Sequence, residues 1–263
     1  MRSLIPALRE VRSVAGVLRD GLDSTPVGPV LVSGMLAEQL ARLLADGSEP
    51  GAVITGDVSR LPGSSVVVHI VAGDPSSGDE DLVRSADRAD IPVVLVQLWP
   101  QVDWTPPFLL TPFVVECSAG AGFPVPDIAG RIAQAVERPA ALARRVPVLK
   151  DSVAGRVVGS TAVRAAILGT VGARSRAARP VITLEQVRML AELRGLEEAA
   201  DDRESFAVLG GMAASVVALG FVLRGVARNA QRALPGPIAN ATVAAAGTWI
   251  LGEAFRRLEH RLP

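Results

Sequence analysis

Nineteen residues near the start of the chain, Pro29 to Gly47 (P-V-L-V-S-G-M-L-A-E-Q-L-A-R-L-L-A-D-G), most constrain its fold. Val30 to Val32 is a short apolar run, Ser33-Gly34 has turn chemistry, and Leu36, Leu40, Leu43 and Leu44 come next at i, i+4, i+7 and i+8. The apolar spacing changes from that of a strand to that of a helix within two or three residues. This predicts a strand, a tight turn and a helix whose leucines form one buried face, the opening unit of an α/β domain.

Beyond Gly47 the alternation continues. Ala52 to Thr55 is a short strand candidate, and Ser65 to Ala72 (S-V-V-V-H-I-V-A) is a β-branched run of the kind that lies in a central parallel strand covered on both faces. A helix is predicted from Asp79-Glu80-Asp81 to Ala89, a strand over Pro92 to Gln97, a strand over Pro112 to Glu116 and a helix over Pro126 to Glu137. Between the last two strands runs a loop holding Trp99 and Trp104, and before the last helix a glycine-rich turn, Cys117 to Pro124. Strands alternating with helices of about ten residues predict a three-layer, mostly parallel sheet with helices on both faces. Ahead of it, Ser3 to Leu22 reads as an amphipathic helix, so residues 1–138 are expected to form an N-terminal helix plus an α/β domain.

From Pro139 no strand pattern recurs, and residues 139–263 are expected to form an all-α helical domain. Leu149 to Gly172 combines Gly155, Gly159 and Gly169 with a polar stripe of Arg156, Ser160 and Arg164. Thr183 to Leu196 is predicted as an amphipathic helix opened by the capping-box pattern Thr183-Leu184-Glu185-Gln186 and closed by Gly195. Two uncharged apolar stretches, Phe206 to Leu223 and Ala233 to Gly252, precede a charged tail. Between them Arg224, Arg228 and Arg232 fall on one helix face.

The turn at Ser33-Gly34 stands where many α/β proteins hold phosphate. Such a turn needs glycines so that backbone N–H groups reach the anion, a lysine for the outer phosphates and a hydroxyl for magnesium. Gly34 stands where the first glycine belongs, but Gln39, Leu40 and Ala41 occupy the places of the second glycine, the lysine and the hydroxyl. The scaffold of a nucleotide site is present without its chemistry.

Composition narrows the partners. The 27 basic and 27 acidic side chains cancel, so no long-range field steers the chain toward nucleic acid. Cys117 is the only cysteine, which excludes an intramolecular disulfide and a cysteine-rich metal site. Arg9, Glu10, Arg12, Arg19 and Asp20 interrupt any apolar signal region, and the expected location is the cytoplasm, at the inner face of the cell membrane if the helical domain attaches there.

The order of elements over Pro29 to Glu137 resembles a degenerate Era-type small GTPase domain with a P-loop-like fold. Glu116-Cys117-Ser118-Ala119, with Gly120 and Gly122 after it, is similar to the guanine-loop motif and the glycine turn before the last helix. Leu61-Pro62-Gly63 resembles the end of the D-T-P-G element, with Arg60 where the magnesium-side aspartate belongs. Gln97-Leu98-Trp99-Pro100 occupies the place of the guanine-reading N-K-x-D. The vestigial positions are thus Gly34, Gly63, Ser118 and Ala119, and the resemblance implies that phosphate cradle, magnesium ligand and base reader were lost together. Over Val181 to Leu258, Gln186-Val187-Arg188-Met189, Gly210-Gly211, Leu234-Pro235-Gly236 and Ala246-Gly247-Thr248 resemble the YcjF-like helical domain appended to some bacterial GTPases, which implies a bacterial, often membrane-associated protein.

Residues with chemistry of their own have structural explanations. Cys117 lacks a neighbouring histidine and a G-x-S-x-G frame, and lone cysteines are usually small core residues. His69 lies inside an apolar strand and is expected to be a hydrogen-bonded core histidine. Asp74, Asp79, Glu80 and Asp81 could hold a cation, but carboxylates at a helix start are explained by its exposed N–H groups and dipole. Ser118, Gly120 and Gly122 are explained as well by a tight turn as by a base or phosphate. No stretch places acid, base and nucleophile together.

Phe206 to Leu223 runs 18 residues without a charge, about 27 Å of helix against a hydrocarbon core of ~30 Å. The expectation is therefore a pseudo-GTPase-type adaptor or regulator without catalytic residues, cofactor or metal. Its partners would be a protein or a second copy met through the helical domain, and an anionic membrane surface met by Arg224, Arg228 and Arg232. The alternatives are a divergent hydrolase binding GTP or GDP with magnesium, and a membrane-embedded structural protein.

Overall fold

The structure, a computed structural model, describes residues 27–99, 113–118, 120–172, 178–197 and 236–259. The expected helix at Ser3 to Leu22, the loop with Trp104, Ala119, the stretch Phe206 to Leu223 and the arginines 224, 228 and 232 lie outside the described residues. The chain divides into two compact units, one spanning Thr25–Val153 and the other containing Ala154–Pro263.

The first unit is built on five parallel strands, β1 (Val30–Gly34), β2 (Val53–Thr55), β3 (Val66–Ala72), β4 (Val93–Leu98) and β5 (Val114–Cys117), in the order β2-β1-β3-β4-β5. Helices α1 (Ala37–Leu44), α2 (Ser77–Arg88), α3 (Val125–Ala135) and α4 (Pro139–Arg145) complete it. The expected α/β architecture is what forms. Leu31, Val67 and Val93 pack with Leu82, Val83 and Ala86 of α2 on one face of the sheet. Their neighbours Val30, Val32, Val66, Val68 and Val94, pointing the other way, are equally buried. A sheet buried on both sides explains why β3 and β4 read as unbroken apolar runs. Ser76 caps α2, its hydroxyl accepting from the N–H of Asp79 while the Asp79 carboxylate accepts from the N–H of Ser76.

Three expectations about elements are corrected. The buried face of α1 is Leu40, Ala41 and Leu44; Leu36 is exposed because it precedes the helix, which begins at Ala37, and Leu43 because 100° per residue sets it off the stripe of 40, 41 and 44. The sheet unit also reaches past residue 138: Leu142, Val146 and Leu149 are fully buried.

The third correction concerns the second unit, which holds the rest of α5 (Lys150–Gly172), α6 (Ala178–Glu197) and α7 (Gly236–Glu259). Helix α6 starts ahead of Thr183 and runs through Gly195, so neither residue marks an end; Met189, Leu190, Leu193 and Leu196 form a buried stripe that carries it past Gly195. Helix α7 begins at Gly236 with Pro237 in its first turn, where a missing N–H costs nothing, and continues into the charged tail. Among the described residues no helix is long and apolar enough to cross a membrane.

Candidate functional site

In an open parallel sheet, ligands bind outside the carboxyl ends of the strands, at the point where strand order reverses. Here that point lies between β1 and β3, beside the turn after β1. Gly34 takes a φ of +92°, and a Cβ there would stand 2.0 Å from the carbonyl oxygen of Ile70. The glycine is thus required by the close approach of β3. The N–H of Met35 donates to that same carbonyl, at 3.3 Å. Only Met35 and Leu36 separate the strand from α1, and Leu36 adopts the left-handed region with φ 60° and ψ 18°. Two residues offer no arc of backbone to wrap a phosphate.

The positions that would act on phosphate are occupied by core and turn. Leu40, at the lysine place, is fully buried, and Ala41, at the hydroxyl place, is buried beside it. Gly63 is not brought to this turn: it precedes β3, its φ of +87° serving the turn into that strand, and it lies beside Gly28 at the amino end of the sheet, opposite the rim that holds Gly34. On the rim with Gly34, Trp99 comes after β4 with a φ of 52° and is half-exposed, its N–H donating to the carbonyl of Cys117. Ser118 is exposed, and Gly120 turns the chain with a φ of +79°. Met35, Leu36 and Trp99 place three large apolar side chains in solvent where a nucleotide would sit in a phosphate-binding relative of this fold.

One constellation is not evident from residue order. Ser33 and His69 are in register on β1 and β3, and the Ser33 Oγ lies 2.8 Å from His69 Nδ1. His69 Nε2 lies 2.8 Å from Asp79 Oδ1, and the other oxygen of Asp79 accepts from the Ser76 N–H and hydroxyl, both at 2.7 Å. An ionised Asp79 only accepts, so Nε2 carries the proton and Nδ1 of the neutral ring accepts from the Ser33 hydroxyl. Burial alone would raise the Asp79 carboxyl, but the Ser76 hydroxyl, the Ser76 N–H and the His69 ring outweigh it and hold the carboxyl below its ordinary value. A signal for the pair was present: Ser33 and His69 each stand three residues into an apolar strand, and parallel strands in register set them side by side.

Serine, histidine and aspartate in series have the order of a nucleophile, a base and its orienting group. Ser33, however, lies inside the strand ladder and is only 3% exposed, and the N–H of the residue after Gly34 is committed to Ile70. The series is a polar strut tying β1, β3 and the start of α2, and His69 is the hydrogen-bonded core histidine expected. Asp79 is used by the capping box and the histidine. Cys117 is buried, and burial pushes its thiol above the ordinary value, which suppresses the reactive thiolate. Among the described residues no three His, Cys, Asp or Glu side chains lie close enough to hold a metal ion. No protein family, characterised protein or solved structure matches the chain.

Proposed function

We propose that this chain is a non-catalytic adaptor or regulator, a degenerate Era-like domain joined to a YcjF-like helical domain, working through protein contacts. The observation that carries the reading is the two-residue turn after β1, in which Gly34 serves strand approach, the Met35 N–H is spent on Ile70 and Leu40 fills the core at the lysine place. The half-exposed side chains of Met35, Leu36 and Trp99 support a rim that meets protein in place of nucleotide. The reading includes contact with an anionic membrane surface through Arg224, Arg228 and Arg232.

Titration of the full chain with fluorescently labelled GTP and GDP, with and without magnesium, tests it. No saturable binding at micromolar nucleotide is expected. Magnesium-dependent micromolar binding would overturn the reading in favour of a divergent GTP-binding hydrolase.

A further inference from the structure

The two units carry opposite charge. Residues 25–153 hold 15 acidic and nine basic side chains, whereas residues 1–24 and 154–263 together hold 18 basic and 12 acidic. Each unit also leaves large apolar side chains in water. On the sheet unit Met35, Leu36 and Trp99 stand exposed at the carboxyl ends of β1 and β4, two of them on a strained backbone, with φ 60° at Leu36 and 52° at Trp99. Core packing does not account for that strain, since both side chains point to solvent. On the helical unit Ile238, Trp249 and Ile250 of α7 are each more than half exposed. With the exposed Thr242 and Ala246 they form one face of that helix, at i, i+4, i+8, i+11 and i+12.

The two apolar patches have borders of opposite sign. Along the rim, Glu38 lies in the first turn of α1, Asp74 and Asp81 flank the start of α2, and Glu116 lies near the end of β5, all four exposed. Helix starts favour carboxylates, which explains where most of these acids lie, and their sum gives the rim its charge. Arg84 offsets one of them, Asp81, which it meets at 2.9 Å. Helix α7 carries no charge from Gly236 to Gly252 and ends on Arg256 and Arg257, which both meet Glu253 at 3.2 Å. Large apolar side chains at the centre of a patch, with charge at its border, are the composition of a protein interface. An anionic membrane would cover the helical patch alone and be repelled by the acidic rim. A second copy of the chain covers both patches with one contact.

We propose that copies of this chain associate head to tail, the rim of Met35, Leu36 and Trp99 on one copy receiving the α7 stripe of Ile238, Trp249 and Ile250 on the next. Such a contact is heterologous: a pair joined by it retains one unused rim and one unused stripe, so association continues into a closed ring or an open chain. The inference rests on the reading of the rim as a protein contact, and it identifies that protein as a second copy.

Sedimentation velocity of the full chain tests it, over micromolar to submillimolar concentrations at low and high salt. The native chain is expected to associate as concentration rises, and to do so less at high salt because the borders of the contact are charged. A rim variant, Met35→Gln with Trp99→Asn, and a stripe variant, Trp249→Gln with Ile250→Gln, are each expected to stay monomeric, since every contact in either sample includes an altered patch. Asparagine keeps the left-handed backbone at position 99. Mixed one to one, the two variants are expected to form a dimer and stop there, because only the stripe of the first and the rim of the second are intact. All four substitutions fall on exposed side chains, and melting temperatures within a few degrees of the native value check the fold. If a double variant fails to fold, Met35→Gln or Trp249→Gln alone replaces it, expected to weaken association by about fivefold or more, and unchanged association overturns the proposal. A native chain that is monomeric at every concentration overturns it, whether the patches stay bare or close on each other within one chain. So does a double variant that associates as the native chain does, or a mixture that stays monomeric. None of these outcomes moves the nucleotide titration, by which the adaptor reading stands or falls separately.

Discussion

Two demands meet at Gly34: a backbone φ of +92° and a neighbour, the Ile70 carbonyl oxygen, 2.0 Å from where a Cβ would be. Gly34→Ala is therefore expected to cost about 3 kcal/mol or more in urea unfolding, because the turn and the β1–β3 ladder cannot both be kept. A glycine serving only as a phosphate cradle would behave differently, tolerating alanine in stability and failing only in nucleotide affinity. A second residue-scale expectation concerns Asp79. Its carboxyl is held below the ordinary value in the folded state, so the stability it contributes is present above the unfolded pKa, near 4, and is lost as pH falls through the lower folded value. Unfolding midpoints should therefore decline below about pH 4 in the native chain and less steeply in Asp79→Asn. An identical acid slope in the two proteins would remove Asp79 from the account. Ser33→Ala in the same series should destabilise by about 1–3 kcal/mol through the unpaired Nδ1 of His69, and the native Ser33 should resist a fluorophosphonate probe; covalent labelling would make it a nucleophile.

At the scale of elements, α5 and α7 pass each other closely at two glycines. A Cβ on Gly252 would stand 2.5 Å from Val158 Cγ2, and one on Gly169 would stand 2.8 Å from the Asn240 carbonyl oxygen. Residue numbers rise along α5 while they fall along α7 between these crossings, so the two helices run antiparallel. A buried hydrogen bond from Gln186 Nε2 to Thr248 Oγ1, 2.9 Å long, joins α6 to α7. Gly252→Ala should thus cost about 1–3 kcal/mol by overpacking. Gly159→Ala, on the same small-residue pattern but with open space around it, should raise stability by about 0.5–1 kcal/mol through helix propensity. Equal effects at both positions in thermal unfolding would refute the close crossing. The contrast also marks what could be read from residue order. Periodicity located all five strands and the alternation, most plainly at β3 and β4, whose β-branched runs are buried on both faces. It did not locate the ends of α6, because Thr183 and Gly195 have the chemistry of caps; tertiary burial of Met189 to Leu196 carries the helix through Gly195. It did not separate Gly169 from Gly159 either, since the difference lies in what another helix brings near. The Ser33–His69 pair needed strand register, which no single strand contains.

For the whole molecule, the balance of 27 basic and 27 acidic side chains means that any attraction to a membrane is local. The local concentration of charge is Arg224, Arg228 and Arg232, set between two uncharged stretches. At ~1 kcal/mol per arginine near an anionic surface, three together are worth about a hundredfold in partitioning, enough to hold a chain that is not embedded. The native chain is therefore expected to sediment with phosphatidylserine-containing vesicles and not with neutral ones, and to be released by high salt and by carbonate. Replacement of the three arginines by glutamine should abolish sedimentation while leaving the melting temperature within a few degrees. The alternatives separate on the same experiment. A chain embedded through Phe206 to Leu223 would survive carbonate and the glutamine substitutions alike, since its 18 uncharged residues would hold it by apolar transfer. A chain whose helical domain meets only protein would ignore vesicles of either composition, and the surface contact would then be withdrawn while the two-residue turn after β1 still argued against a phosphate cradle.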